Sequence, residues 1–118
     1  MNSMFKSYQN MPNELRENMR GGEGIISLQS IFQKGDYDSS TRLFSLITVP
    51  VGGSIGFHQH NGEEEFFYFL SGHGEFDDNG TSVSVSAGDA TVTRSGEGHA
   101  LRNTGDIPLE LVAVIVTL

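Results

Sequence analysis

Glu75-Phe76-Asp77-Asp78-Asn79-Gly80-Thr81-Ser82-Val83-Ser84-Val85-Ser86 decides the fold class. Asn79-Gly80 is the strongest hairpin signal in the chain, because both residues tolerate the positive φ of a type I′ turn. The residues after it alternate, which places Val83 and Val85 on one face of a strand. Together these features predict that Glu75–Asp77 pairs with Thr81–Val85.

Outward from this hairpin the same texture repeats. Short β-rich runs alternate with Gly, Asp, Asn and Pro clusters at intervals of roughly 8–12 residues, the pattern of an all-β domain. The spacing predicts strands over 25–32, 42–49, 54–58, 65–70, 74–77, 81–86, 90–94, 100–102 and 109–117, and no segment sustains a helical period. Asn103-Thr104-Gly105-Asp106 before Pro108 marks a further reversal. So many short strands need closure or a second sheet to hide their edges, which favours a barrel or jelly roll. Residues 1–24, closing on Gly21-Gly22-Glu23-Gly24, read as an N-terminal arm, and 25–118 as the barrel domain. At 118 residues the chain has the size of one domain.

Composition narrows the function classes. With 15 acidic residues against 7 basic and a formal charge of -8, the chain repels phosphate backbones and anionic lipid, so neither nucleic acid nor membrane is an expected partner. The absence of cysteine excludes disulfides, a thiolate nucleophile and cysteine-ligated zinc or iron–sulfur sites. The first twenty residues lack the apolar core of a signal peptide, so a cytoplasmic location is expected. Leu111–Val116, the longest apolar run, falls far short of the roughly 20 residues of a membrane span.

Of four histidines, two stand as His58-Gln59-His60, just before Glu63-Glu64-Glu65. Residues i and i+2 of a strand share a face, so both imidazoles can approach one ion. If the chain reverses at Asn61-Gly62, a carboxylate returns beside them and completes a facial set that leaves positions open for substrate. His99, after the Gly96-Glu97-Gly98 turn, is the natural fourth ligand. Histidine pairs on strands commonly serve only as surface or hydrogen-bonding residues. The conjunction of four ligand-type residues argues for the metal.

These residues resemble a known family. Gly52, five residues, His58-x-His60, four residues, Glu65, six residues and Gly72 match the first cupin motif. Gly88, five residues, Arg94, one residue, Gly96, two residues, His99, three residues and Asn103 resemble the second, with Arg94 where the family usually has proline. The resemblance implies a double-stranded β-helix holding one divalent ion (Fe, Mn, Ni, Co or Zn) on His58, His60, Glu65 and His99. It implies chemistry on a small oxygen-rich organic molecule: dioxygenase, oxalate-type decarboxylase or isomerase. The alternative is a non-catalytic metal-dependent binding module or scaffold.

Strand parity extends this reading. A ligand Glu65 places Phe67 and Phe69 inside, and a ligand His99 places Leu101 and Asn103 inside, so Phe67, Phe69 and Leu101 are the expected pocket residues. No catalytic acid or base stands out. Glu63 and Glu64 are expected to be solvated charges, His73 exposed or structural, and Asn103 a turn cap. Arg20, Arg42 and Arg94 are the cations able to meet an anionic ligand, although surface solubility is the commoner use of such residues. Phe66-Phe67-Tyr68-Phe69-Leu70 is aromatic on both faces, which predicts cover from a partner or the arm; the arm itself is either a disordered tail or a strand added to a second subunit. A homodimer is the expected assembly.

Overall fold

In the computed structural model, residues 4–118 are described; the first three residues of the expected arm lie outside them. The strands are β1 (Asn13–Glu17), β2 (Ile25–Phe32), β3 (Thr41–Val49), β4 (Ser54–Gln59), β5 (Glu63–Ser71), β6 (His73–Asp78), β7 (Thr81–Ser86), β8 (Ala90–Thr93), β9 (Gly98–Asn103) and β10 (Leu109–Thr117). They form two sheets, β1-β2-β3-β10-β5-β8 and β4-β9-β6-β7, with every pairing antiparallel. This is the expected double-stranded β-helix. Among the described residues the only helices are 3₁₀ turns at Tyr8–Asn10 and Met19–Gly21, and none is long and apolar enough to cross a membrane.

The hairpin forms as read. Asn79 (φ 49°) and Gly80 (φ 101°) both adopt the left-handed conformation, and Phe76 pairs with Val83. Val83 and Val85 share a face, yet only Val85 is buried, because β7 is the edge of its sheet and Val83 lies beyond the core. The core draws on both sheets: Ile26, Leu28, Ile47, Val49, Phe67, Phe69, Leu111 and Ala113 from the larger, Ile55, Phe76, Val85 and Leu101 from the smaller. Burying a side chain of this kind contributes roughly 1.5–3 kcal/mol before conformational entropy is set against it.

Two expectations are corrected. The arm contains a tenth strand, β1, which pairs in register with β2 of the same chain, from Asn13 opposite Gln29 to Glu17 opposite Ile25. All five of its residues are exposed, so backbone pairing rather than burial holds it. The outer face of β5 is not covered by the arm: Phe66, Tyr68 and Leu70 are 41%, 50% and 46% exposed. The reason is topological, since β1 lies at the far edge of the sheet, with β2, β3 and β10 between it and β5.

Candidate metal centre

His58 and His60 are brought to the barrel interior by a bulge. The β4–β9 register shifts between Ile55 and His58, so Ile55 and His58 both face inward while Phe57 turns out and is half exposed. Uninterrupted alternation from Ile55 would have sent His58 outward. Gly62, at φ 74°, then turns the chain from the smaller sheet into the larger, and Glu65 returns opposite the two imidazoles. His99 on β9 pairs directly with His58.

The four side chains converge on one point. The ring centroids of His58, His60 and His99 stand 4.8–4.9 Å apart in a near-equilateral triangle. His60 Nε2 is 3.1 Å and His58 Nε2 3.3 Å from His99 Nε2, while Glu65 Oε1 is 3.0 Å from the Nε2 atoms of both His60 and His99. Ligand atoms about 2.1 Å from one ion stand about 3.0 Å apart at right angles and about 3.4 Å at tetrahedral angles. The spacing suits adjacent positions of an octahedron better than a closed tetrahedron.

Each Nδ1 is engaged elsewhere. His58 Nδ1 donates to the Gly56 carbonyl at 2.9 Å and His60 Nδ1 to Glu63 Oε1 at 2.8 Å, while His99 Nδ1 shares a 2.7 Å hydrogen bond with the Thr93 hydroxyl. With the proton of a neutral ring on Nδ1, the Nε2 lone pair is left facing the common point. Such electron-rich atoms, three of the four side chains being almost fully buried, are a favourable place for a cation. The residues present therefore fit a metal ion, and the cluster could hold one.

The electrostatics agree. Burial opposes charge on Glu65, yet hydrogen bonds from His60 and His99 hold its pKa below the ordinary carboxylate value. Glu65 in turn raises the pKa of His60, against the effect of burial and with help from Glu63. Burial lowers that of His58, and the neighbouring His99, Arg20 and His60 lower it further.

Glu63 is the residue the sequence reading misplaced. Far from being a solvated charge, it is gripped by Arg42, whose Nε and Nη2 donate at 2.7 and 2.8 Å, and it orients His60. Its pKa falls to about 2, chiefly through Arg42. Thr93, the Gly56 carbonyl and Arg42 were likewise unforeseen as supports. The signal that could have found Glu63 is its position three residues after His60, across a turn that needs Gly62.

Phe67, Phe69 and Leu101 are inside, as parity required; Phe67 and Phe69 lie in the core, while Leu101 also lines a depression by the smaller sheet. Phe67 stacks on the His99 ring, with centroids 5.0 Å apart and planes 20° from parallel. The cavity that reaches the cluster, about 70 Å³, has His58, His60 and Glu65 on its wall with Leu28, Leu43, Ile47, Ile115 and Met19 as apolar lining and Arg16, Arg20 and Arg42 as cations. A larger depression of about 440 Å³ lies by the smaller sheet, beside Phe57, Glu75 and Arg102, and includes none of the four cluster residues. Asn103 caps its turn, donating to the Val49 and Ile107 carbonyls and accepting from Gly105 N–H. His73 is exposed.

Comparison with known proteins agrees with this geometry. A family model described as the cupin domain matches residues 45–115. The chain belongs to the cupin family. It is 45% identical over 101 residues to the oxalate-binding protein of Thermotoga maritima, covering 86% of this chain and 84% of that one. It superposes on the crystal structure of a predicted oxalate decarboxylase from Thermotoga maritima with a TM-score of 0.92 at 41% identity, covering 98% of this cupin and all of that chain (100%). The Cnp3 cupin domain of Schizosaccharomyces pombe shares the fold at a TM-score of 0.73 and 16% identity, covering 89% of this chain and 69% of that one.

Proposed function

We propose that this cupin holds one divalent metal ion on His58, His60, Glu65 and His99 and, through it, binds a small oxygen-rich anion of the oxalate kind. The observation that carries the reading is the convergence of three Nε2 atoms and one carboxylate oxygen at 3.0–3.3 Å with every Nδ1 turned away. When bound, the ion supplies a Lewis-acid template with about two positions open to ligand oxygens. Iron, manganese, nickel, cobalt and zinc all accept such a ligand set. The small cavity favours a ligand of a few heavy atoms, and its cationic members favour an anion. The names of the Thermotoga relatives support oxalate as the first ligand to test.

The second reading is turnover, which the open coordination positions favour. Decarboxylation of oxalate breaks the carbon–carbon bond, releases carbon dioxide and needs a proton on the remaining carbon to give formate. Among the described residues lining the cavity, Glu65 is the only carboxylate, and it belongs to the cluster. Arginines are poor proton donors at neutral pH. Binding without rapid turnover therefore leads. In metal-loaded protein, oxalate at a hundred times its Kd should raise Tm by roughly 10 °C. No shift in metal-loaded protein would end the binding reading, and formate release would promote the enzyme.

A homodimer through the outer face of β5 completes the proposal. Phe66, Tyr68 and Leu70 form an exposed apolar row beside Val112 and Val114 of β10, of the kind that marks an association surface.

A further inference from the structure

The three cations at the mouth of the metal centre are not equivalent. Arg42 is committed to Glu63 by two hydrogen bonds, and Arg16 is paired with Glu14 at 2.8 Å. Arg94, paired at 4.0 Å with Glu97, is absent from the cavity. Arg20 lines the cavity and has no ion-pair partner among the described residues.

Arg20 is also held in a conformation that an arginine rarely adopts. Its backbone is left-handed (φ 55°, ψ 29°), two residues after Asn18, which is left-handed as well. Non-glycine residues in this region are strained, and such strain persists only where the surroundings enforce it. Here the enforcement is visible. A Cβ at Gly56 would fall 2.0 Å from the Arg20 carbonyl oxygen, and one at Gly22 would fall 2.1 Å from the Ser54 carbonyl oxygen. The β1–β2 connection therefore lies backbone against backbone on β4. Ser54 N–H donates to the Glu23 carbonyl and Glu23 N–H to Ser54 Oγ, fixing the connection along the strand that carries His58. Met19 anchors it by packing against the core.

We propose that Arg20 is the specificity-determining residue of the site, receiving the outward oxygens of a metal-held dicarboxylate so that a doubly charged anion is preferred over a singly charged one of the same shape. The inference rests on the reading that the site binds a small oxygen-rich anion on a metal ion. A free guanidinium offers a planar fork of donors suited to two carboxylate oxygens. In a cavity with apolar walls and a chain of charge -8, it is the cation left to offset a second negative charge.

The test compares oxalate with oxamate, its singly charged isostere, by calorimetry on metal-loaded wild type, Arg20→Gln, Arg20→Lys and Arg20→Gly, with metal content measured for each. Wild type should prefer oxalate by about 10- to 100-fold, the worth of a charge-assisted hydrogen bond. Arg20→Gln and Arg20→Gly should lose that preference, oxalate binding weakening more than oxamate binding at unchanged metal content, and Arg20→Lys should restore part of it. Arg20→Gly should also melt a few degrees higher, because glycine relieves the left-handed strain, which separates ligand recognition from folding. Undiminished discrimination in Arg20→Gln at full metal content would overturn the inference while leaving the binding reading intact. Loss of metal in Arg20→Gln would assign the residue to assembly of the centre and also overturn it. Failure of metal-loaded wild type to bind oxalate would remove both.

Discussion

His60 has a carboxylate near each ring nitrogen, Glu63 bonded to Nδ1 and the shared Glu65 oxygen 3.0 Å from Nε2, so the two carboxylates have different tasks. Glu63 aims the ring and Glu65 would face the ion. Glu63→Gln keeps the shape and removes the charge, and should weaken metal binding by about 10- to 100-fold in a chelator competition; an unchanged affinity would show that the orienting contact is idle. The pH dependence follows from the same groups. The pKa of Glu63 is depressed to about 2 from 4.5, so its contribution to stability is complete above the ordinary value and lost as pH falls through the depressed one. The raised pKa of His60 means that a proton competes with the metal from above pH 6.5 downward. Metal affinity should therefore fall on acidification with an onset above that value, and a titration flat down to pH 6 would contradict this. At this scale the ligands were legible, because four side chains of the right types stand at motif spacing. Glu63 was hidden by its neighbours: in a run of three glutamates the sequence does not say which one a turn will bring under an arginine two strands away, with β10 between.

Along β5 the alternation puts Glu65, Phe67 and Phe69 on one inner column, and Phe67 meets His99, Phe69 and Phe76 at ring separations of 5.0–6.1 Å. Phe67→Ala should cost about 3–5 kcal/mol in urea unfolding and loosen His99, since the cavity opens directly under its ring. A loss below 1 kcal/mol would mean that the column closes up and the ring does not depend on it. The strands were legible where alternation and turn residues coincide: β2, β7 and β10 begin and end where the spacing placed them. The bulge of β4 was not, because it arises from pairing with β9 and nothing in Ile55-Gly56-Phe57-His58 itself announces two inward residues three apart. The pairing of β1 with β2 of the same chain, rather than with a second subunit, was missed for a different reason. Asn13-Glu14-Leu15-Arg16-Glu17 has no β-branched residue and buries none of its side chains, so its pairing with β2 leaves no hydrophobic trace.

For the whole molecule, the two sheets serve different ends. The smaller carries His58 and His99, with His60 just past the end of β4, and the larger carries Glu65 and presents an apolar outer face. Sedimentation should find a dimer that Tyr68→Glu converts to monomer with its fold intact, since a charge in an apolar interface is strongly unfavourable; a monomeric wild type at micromolar concentration would leave that face without a role. The central claim concerns the ion itself. Elemental analysis of untagged protein, with His99→Ala as the control and circular dichroism to show that both are folded, tests it most directly. The account predicts close to one equivalent of a divalent transition metal per chain in the wild type and almost none in the variant. A folded wild type that takes up no iron, manganese, nickel, cobalt or zinc on reconstitution would contradict it.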